Sequence, residues 1–286
     1  LSKEGKDLFY NGECAKLIDE HYGNDGFISK KSLQNYQTIK RKPISIKLNE
    51  YTIITNPAPS YAGTLMIFLF SILKNTRQLN DNIINLIKIM ELTSLARKNT
   101  CTNPLDEMEI NQLLDKTTIK KYEKIFKNNN YTNYSKLSGF GSTTHISIMD
   151  KEENIVSVTT TNGEGSGDFI PGCGIMMNNM LGEQDLNPYG FHKWKSIRRL
   201  PTMICPTIIL KNNKPIYALG SGGSNRIRSA IIQVIINLLI KKMPLDIAIN
   251  EPRLHLEGNE LYFEEGIKIP KSKKIEHLKL NPFENK

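Results

Sequence analysis

In the first half of the chain, apolar positions recur mostly at helical spacing. Ser2–Asn11 and Glu13–Gly23 read as short helices, and Ser29 stands as the N-cap of a third over Ser29–Asn35. Ile44–Asn56 alternates apolar and polar residues around Asn49-Glu50, as a two-stranded hairpin does. The turn-rich loop NPAPSYAG, Asn56–Gly63, leads into an apolar helix over Thr64–Lys74. Ile83–Asn99 predicts a long helix, and Asp106–Leu114 and Lys120–Lys127 predict shorter ones. Asn128–Ser142 carries little apolar content and no period, the pattern of an exposed, mobile tail.

The period changes at Thr143. His145–Met149 and Ile155–Thr161 read as strands joined by the polar turn Lys151–Asn154. A glycine-rich stretch, Asn162–Gly167, follows, and then an apolar strand over Gly174–Asn179. Pro206–Leu210 and Ile216–Leu219 predict a hairpin over Lys211–Lys214. GSGGSNR, Gly220–Arg226, opens a helix whose apolar residues fall at Ile227, Ala230, Ile231, Val234, Ile235, Leu238 and Leu239. A last hairpin, Arg253–Glu264, surrounds Glu257–Asn259. Strands followed by amphipathic helices predict a layered α+β architecture, with helices covering a sheet.

Composition narrows the function. Of the 286 residues, 39% are hydrophobic and 23% charged, an ordinary globular balance. The formal charge of +9 comes from lysines spread over the whole chain, with no stripe of basic and aromatic residues, so no nucleic-acid partner is expected. Cys14, Cys101, Cys173 and Cys205 lie far apart and no Cys/His spacing suits zinc, so neither a metal site nor a disulfide scaffold is expected. The longest apolar runs, Leu65–Leu73 and Ile231–Ile240, are too short to span a bilayer and read as core helices.

One stretch carries candidate chemistry: SGFGSTTHISIMD, Ser138–Asp150. A threonine hydroxyl needs a base within reach before it can act as a nucleophile. A cut just before Thr143 would supply one, because an α-amine has a reference pKa of about 7.7–8.0 and is partly neutral near pH 7. Thr-Thr-His alone is equally the composition of an ordinary strand. Acyl chemistry also needs oxyanion donors. Gly222, Gly223 and Ser224 stand where a glycine-rich turn meets a helix N-terminus, so backbone N–H groups and the helix dipole converge there. Such a turn also serves simply to start a helix.

Taken in order, TTHISIMDKEENIVSVTTTNGEGSG, GIMMNNMLGEQDLNP, PTMICPTIIL and GSGGSNRI resemble the γ-glutamyltransferase (γ-glutamyltranspeptidase) family of N-terminal-nucleophile hydrolases. The upstream NPAPSYAGTLM resembles that family's proline-rich loop and helix. The resemblance implies an α+β fold of αββα layers, helices covering stacked antiparallel sheets. It also implies a precursor that cleaves itself between Ser142 and Thr143. Residues 1–142 would then correspond to the end of the large subunit, and residues 143–286 to the small subunit that begins with the nucleophile. The two cleaved halves would be each other's partners. The chain is expected to begin inside the large-subunit region and to stop before the family's last strands.

By the same resemblance, Thr143 is the nucleophile and Thr161 the second threonine that supports it. The oxyanion donors fall in Gly222-Gly223-Ser224. Glu183, or Asp185, holds the substrate's α-amino group, and Asn162 or Gly163 occupies the place of an asparagine that binds the γ-glutamyl group. Thr202 matches the first of two serines on the α-carboxylate, and Met203 stands in place of the second. Met180 replaces a frequent glutamine. No metal or organic cofactor is implied. The implied function is γ-glutamyl transfer from a glutathione-like amide to water or an amine. A related threonine acylase of the glutaryl or cephalosporin type, and a catalytically silent fragment that keeps the fold, stay open beside it.

Overall fold

The structure, a computed structural model, describes residues 2–23, 26, 28–78, 82–101, 106–128, 143–183, 186–187, 191 and 199–283. Apart from Asn128, the expected tail, with the cleavage-site residue Ser142, lies outside the described residues, as does the alternative head-group carboxylate Asp185. The first half holds helices α1 (Asp7–Tyr10), α2 (Glu13–Tyr22) and α3 (Lys30–Gln34) and strands β1 (Ile44–Leu48) and β2 (Tyr51–Thr55). Helices α4 (Tyr61–Asn75), α5 (Ile83–Thr100), α6 (Glu107–Gln112) and α7 (Lys116–Asn128) follow. The second half holds β3 (Thr143–Met149), β4 (Ile155–Thr161), β5 (Phe169–Ile170), β6 (Ile175–Met176), β7 (Thr207–Lys211) and β8 (Lys214–Leu219). It closes with α8 (Arg226–Leu239), α9 (Leu245–Asn250), β9 (Leu254–Glu257), β10 (Glu260–Phe263) and β11 (Lys279–Pro282).

The central sheet runs β1-β2-β7-β8, all antiparallel. Its middle pair joins the two halves of the chain, with Ile53 opposite Ile209 and Thr55 opposite Thr207. The β7–β8 turn is Asn212-Asn213 with both φ positive, the two-residue geometry whose twist matches the flanking strands. Packed on the sheet is α4, buried at every position from Tyr61 to Phe70. A helix apolar on all sides must be enclosed on all sides. The partners of α4 include β1, α5, α6, α7 and α8, and one core spans Ile53, Leu65, Phe68, Tyr122, Ile209 and Ile235.

The β3–β4 hairpin packs beside β7 and β8, and its two faces differ in polarity. One face carries Thr143, His145 and Ser147 opposite Thr161, Thr159 and Ser157. This polar face is fastened to the sheet by hydrogen bonds: Ser147 Oγ donates to Ala218 O at 3.0 Å and Ser157 Oγ to Leu219 O at 3.0 Å. Thr207 N–H in turn donates to Ser157 Oγ at 3.1 Å. The other face pairs Ile146 with Val158 and Ile148 with Val156, and these four side chains are 41–57% exposed.

Some elements differ from the sequence pattern. The apolar helix begins three residues early, at Tyr61, because Ser60 caps it by accepting from Gly63 N–H at 3.2 Å. Only glycine fits there, since a Cβ on Gly63 would fall 2.2 Å from Asn56 O. The helix expected over Ser2–Asn11 is confined to Asp7–Tyr10, and α7 begins at Lys116 rather than Lys120. The strand expected over Gly174–Asn179 shrinks to Ile175–Met176, paired with Phe169–Ile170. Beyond it a short 3-10 turn, Met180–Gly182, takes over.

Candidate active site

The hairpin register sets Thr143 directly opposite Thr161. Thr143 Oγ1 donates to Thr161 Oγ1 at 3.1 Å, and Gly163 N–H donates to the same oxygen at 3.1 Å. Thr161 is thus anchored by the backbone that follows it and in turn fixes the rotamer of Thr143. Both side chains are half-buried, so the pair is reachable from solvent.

The Gly220–Asn225 turn lies on β3. A Cβ on Gly222 would fall 2.5 Å from Thr143 O, so only glycine permits this approach. Gly223 and Ser224 both have positive φ, 116° and 50°, and their bend delivers the chain into α8. Among the described residues, the N–H groups of Gly222, Gly223 and Ser224 meet no acceptor. Gly222 thus lies against the backbone of Thr143, and Gly223 and Ser224 lead from it into the N-terminus of α8.

A third group gathers around Gly163, whose φ is +69°. A Cβ there would fall 2.5 Å from Asn179 Oδ1 and 3.1 Å from Glu183 Oε1, so the Asn162–Gly165 loop and the Asn179–Glu183 turn pack on each other. Asn179 N–H donates to Asn162 O at 3.1 Å, and Asn179 Oδ1 accepts from Glu164 N–H at 2.7 Å. Asn179 was not singled out from the sequence, although it lies inside one of the motifs that carry the family resemblance. Thr202 is half-buried on a bridge to Ser60, and its Oγ1 accepts from Ile204 N–H at 3.2 Å. Met203, expected beside it in the binding site, instead turns into the main core at 7% exposure, where a thioether packs well.

Two polar networks support the site, and neither was predicted from sequence. His145 Nδ1 contacts Thr159 Oγ1 at 2.8 Å and Nε2 contacts Ser147 Oγ at 2.9 Å. Because Ser147 donates onward to Ala218 O, it accepts from His145, which places a proton on Nε2. Burial holds the His145 pKa below the ordinary 6.5. The second network begins at Ser229 on α8, whose Oγ lies 2.7 Å from His255 Nδ1. His255 Nε2 reaches Glu257 Oε2 at 3.0 Å, and Glu257 Oε1 accepts from Asn225 Nδ2 at 3.2 Å. The alternation of His255 and Glu257 on a strand was the only local hint of it. Ser229 and His255 are 4% and 7% exposed, so this relay braces the Gly220–Asn225 turn from behind.

Among the described residues no cluster of His, Cys, Asp and Glu is arranged to hold a metal ion. Among them, too, no helix is long and apolar enough to cross a membrane.

A protein-family model described as Gamma-glutamyltranspeptidase matches residues 1–280. The chain belongs to the gamma-glutamyltranspeptidase family. It is 27% identical over a 299-residue alignment to the glutathione hydrolase proenzyme of Bacillus subtilis (strain 168), covering 93% of this chain and 51% of that protein. It is 29% identical over a 280-residue alignment to the acylase ACY 1 proenzyme of Pseudomonas sp. (strain SE83), covering 93% of this chain and 50% of that one. The chain therefore spans about half the length of the curated relatives it matches. The crystal structure of cephalosporin acylase from Bacillus halodurans superposes with a TM-score of 0.77 at 22% identity, over 99% of this chain and 54% of that one. This likeness gives the fold, the α+β N-terminal-nucleophile hydrolase architecture of this family.

Proposed function

We propose that the protein is a self-processing acyl-transfer enzyme in which Thr143 attacks the carbonyl of a γ-glutamyl amide such as glutathione. The observation that carries this reading is the Thr143–Thr161 hydroxyl pair at 3.1 Å, with Gly222 lying against Thr143. After cleavage of the Ser142–Thr143 bond, the freed α-amine of Thr143 takes the hydroxyl proton as Oγ1 bonds to the carbonyl carbon. Nucleophile and base then share one residue, which removes the cost of orienting two. The oxyanion is held by N–H groups of the Gly222-Gly223-Ser224 turn. Collapse returns the proton to the leaving amine and leaves an ester on Thr143. Water or a second amine then takes the acyl group by the reverse steps. Glu183 pairs with the substrate ammonium, with Asn162 and Gly163 lining the same group, and Thr202 meets the α-carboxylate.

A second reading, a threonine acylase for a side chain without an ammonium group, is favoured by Met203. Its burial removes one of the two positions expected to face the α-carboxylate. The similarity to an acylase proenzyme points the same way.

One pair of measurements tests the proposal and separates the readings. The folded protein is incubated with an amino-acid-mimicking electrophile, and the adduct is mapped. Label on the α-amine or Oγ1 of an N-terminal Thr143 supports the mechanism; label on Thr144 or Thr161, or an uncut chain that takes up none, overturns it. Glu183→Gln is then compared on γ-glutamyl and glutaryl anilides. A charge-assisted bond to ammonium is worth about 1.5–3 kcal/mol, so KM should rise roughly tenfold or more on the γ-glutamyl substrate alone. Equal kinetics on both substrates favour the acylase.

A further inference from the structure

Helix α2 presents one stripe to the rest of the molecule: Cys14, Leu17, Ile18, His21 and Tyr22, spaced i, i+3, i+4, i+7 and i+8. Every member of that stripe meets the β5–β6 hairpin segment, and the partners run in the opposite direction along the chain. Tyr22 Oη donates to Asp168 Oδ2 at 2.8 Å, and His21 Nε2 lies 3.0 Å from Asp168 Oδ1. Ile18, fully buried, packs with Ile170 and Met177. Leu17 Cδ1 stands 3.2 Å from where a Cβ on Gly172 would be. At the end of the run the same register sets Cys14, one turn before Leu17 and Ile18, beside Cys173, which packs with Ile18 and Ile170, and both are free thiols. The helix is thus laid antiparallel along residues 168–173, and two thiols close the seam.

We propose that Cys14 and Cys173 form a dithiol site that closes to a disulfide by exchange with a small-molecule disulfide, clamping α2 across the β5–β6 hairpin. In the first step one thiolate attacks the external disulfide RSSR; its S–S bond breaks, RS⁻ leaves and a mixed disulfide forms. The second thiolate attacks the protein sulfur of that mixed disulfide and expels the second RS⁻. The two protein thiols lose two protons and two electrons, and RSSR is reduced to two RSH.

The site is selective for chemical reasons. Cys205 is fully buried and its thiol is pushed up by that burial. Burial pushes the Cys101 thiol up to about 12, so it stays protonated and poorly nucleophilic. Cys173 is itself raised, first by burial and then by the Cys14 side chain beside it, so it rests as a thiol until an oxidant arrives. The hairpin that the clamp would hold is continuous with the catalytic region. Met177 O accepts from Ser166 Oγ at 2.7 Å, and two residues on, Asn179 meets the Asn162–Gly165 loop.

The full chain, reduced, is treated with excess 2-hydroxyethyl disulfide at about pH 8, where thiolate becomes available. It is then quenched in acid, alkylated under denaturing conditions and digested. The expected product is lighter by two hydrogens, carries one Cys14–Cys173 linked peptide and is alkylated at Cys101 and Cys205. Its Tm should lie about 5 °C or more above that of the reduced protein and return on reduction, because the bond closes a long loop of chain. In Cys14→Ser or Cys173→Ser the remaining cysteine should carry the hydroxyethanethiol adduct. Separate adducts on both cysteines of the wild type, a link through Cys101 or Cys205, or a linked protein that melts below the reduced one would each overturn the proposal.

Discussion

Gly220 lies flat against the imidazole of His145. A Cβ placed on Gly220 would fall 2.0 Å from Nδ1 and 2.2 Å from Cε1. The contact joins the end of β8 to β3, between the Gly220–Asn225 turn and the network that holds the hairpin.

Gly220→Ala is therefore expected to push His145 off its hydrogen bonds to Thr159 and Ser147. The cost of overpacking such a site is about 1–3 kcal/mol, read as a lower denaturation midpoint at unchanged slope. In the double variant with His145→Ala the clash disappears. The alanine at 220 should then add little, and a cycle of four proteins should give a coupling of the same size as the clash.

Protonation of His145 should destabilise the fold. Its folded pKa is lowered from 6.5 by burial, so the native state prefers the neutral ring more strongly than the unfolded chain does. That contribution is fully present above the unfolded value of 6.5 and is lost as pH falls through the lower folded value. Thermal unfolding followed from pH 7.5 down to about pH 5 should show Tm falling below 6.5, and His145→Gln should flatten that part of the profile. An unchanged slope in the variant would assign the effect elsewhere.

Thr161→Ala removes the oxygen that receives both Thr143 Oγ1 and Gly163 N–H. In the proposed mechanism Thr143 then keeps its own chemistry but loses its aim, and misplacing a reacting group costs on the order of a hundredfold. Acylation should slow by about that factor, with the label still on Thr143, and Thr161→Ser should recover most of the rate because it restores the hydroxyl. Thr143→Ala should take up no label.

Glu257 reaches the Gly220–Asn225 turn through Asn225, and His255 reaches the start of α8 through Ser229. Glu257→Gln is expected to lower kcat by roughly fivefold to tenfold while leaving KM nearly unchanged, about 1–1.4 kcal/mol of transition-state stabilisation. His255→Phe removes the ring that Ser229 and Glu257 both contact in a buried place, while Ser229 keeps its bond to Arg226 O, and should also lower stability by about 1–3 kcal/mol. A change in KM alone, at full kcat, would contradict the bracing role.

Much of this site follows from arithmetic along the chain. A hairpin whose loop runs from Asp150 to Asn154 pairs residues equally distant from Glu152, and Thr143 and Thr161 are such a pair; the turn Lys151–Asn154 expected from the sequence is one residue shorter and would set Thr143 opposite Asn162. The α8 stripe and the Asn212-Asn213 turn were legible for similar reasons, since each is a local pattern repeated in a short window. Contacts between distant segments were not. Nothing in GSGGSNR tells that Gly220 rests on His145, or that Ser229 faces a histidine on β9, because both depend on how separate elements pack. The two-residue strand Phe169–Ile170 is too short to express any period. Met203 reads as a site residue by its place in a motif, but side-chain direction on an irregular segment has no sequence signature.

The β3–β4 hairpin links two properties that are usually separate. Its polar face carries the candidate nucleophile, and its opposite face leaves Ile146, Ile148, Val156 and Val158 in water. Hydrocarbon burial contributes about 25 cal/mol per Å², and this hairpin forgoes it on one side, relying on a few hydroxyl-to-backbone bonds worth about 0.5–1.5 kcal/mol each. Amide hydrogens on these strands should exchange with solvent well before those of α4, through openings that leave the main core intact. Each opening also separates Thr143 from Thr161. The fraction of time in which the hydroxyl pair is formed is therefore set partly by the water-facing side of the ribbon. Anything that shields that side, without approaching the catalytic groups, raises the population of aligned Thr143.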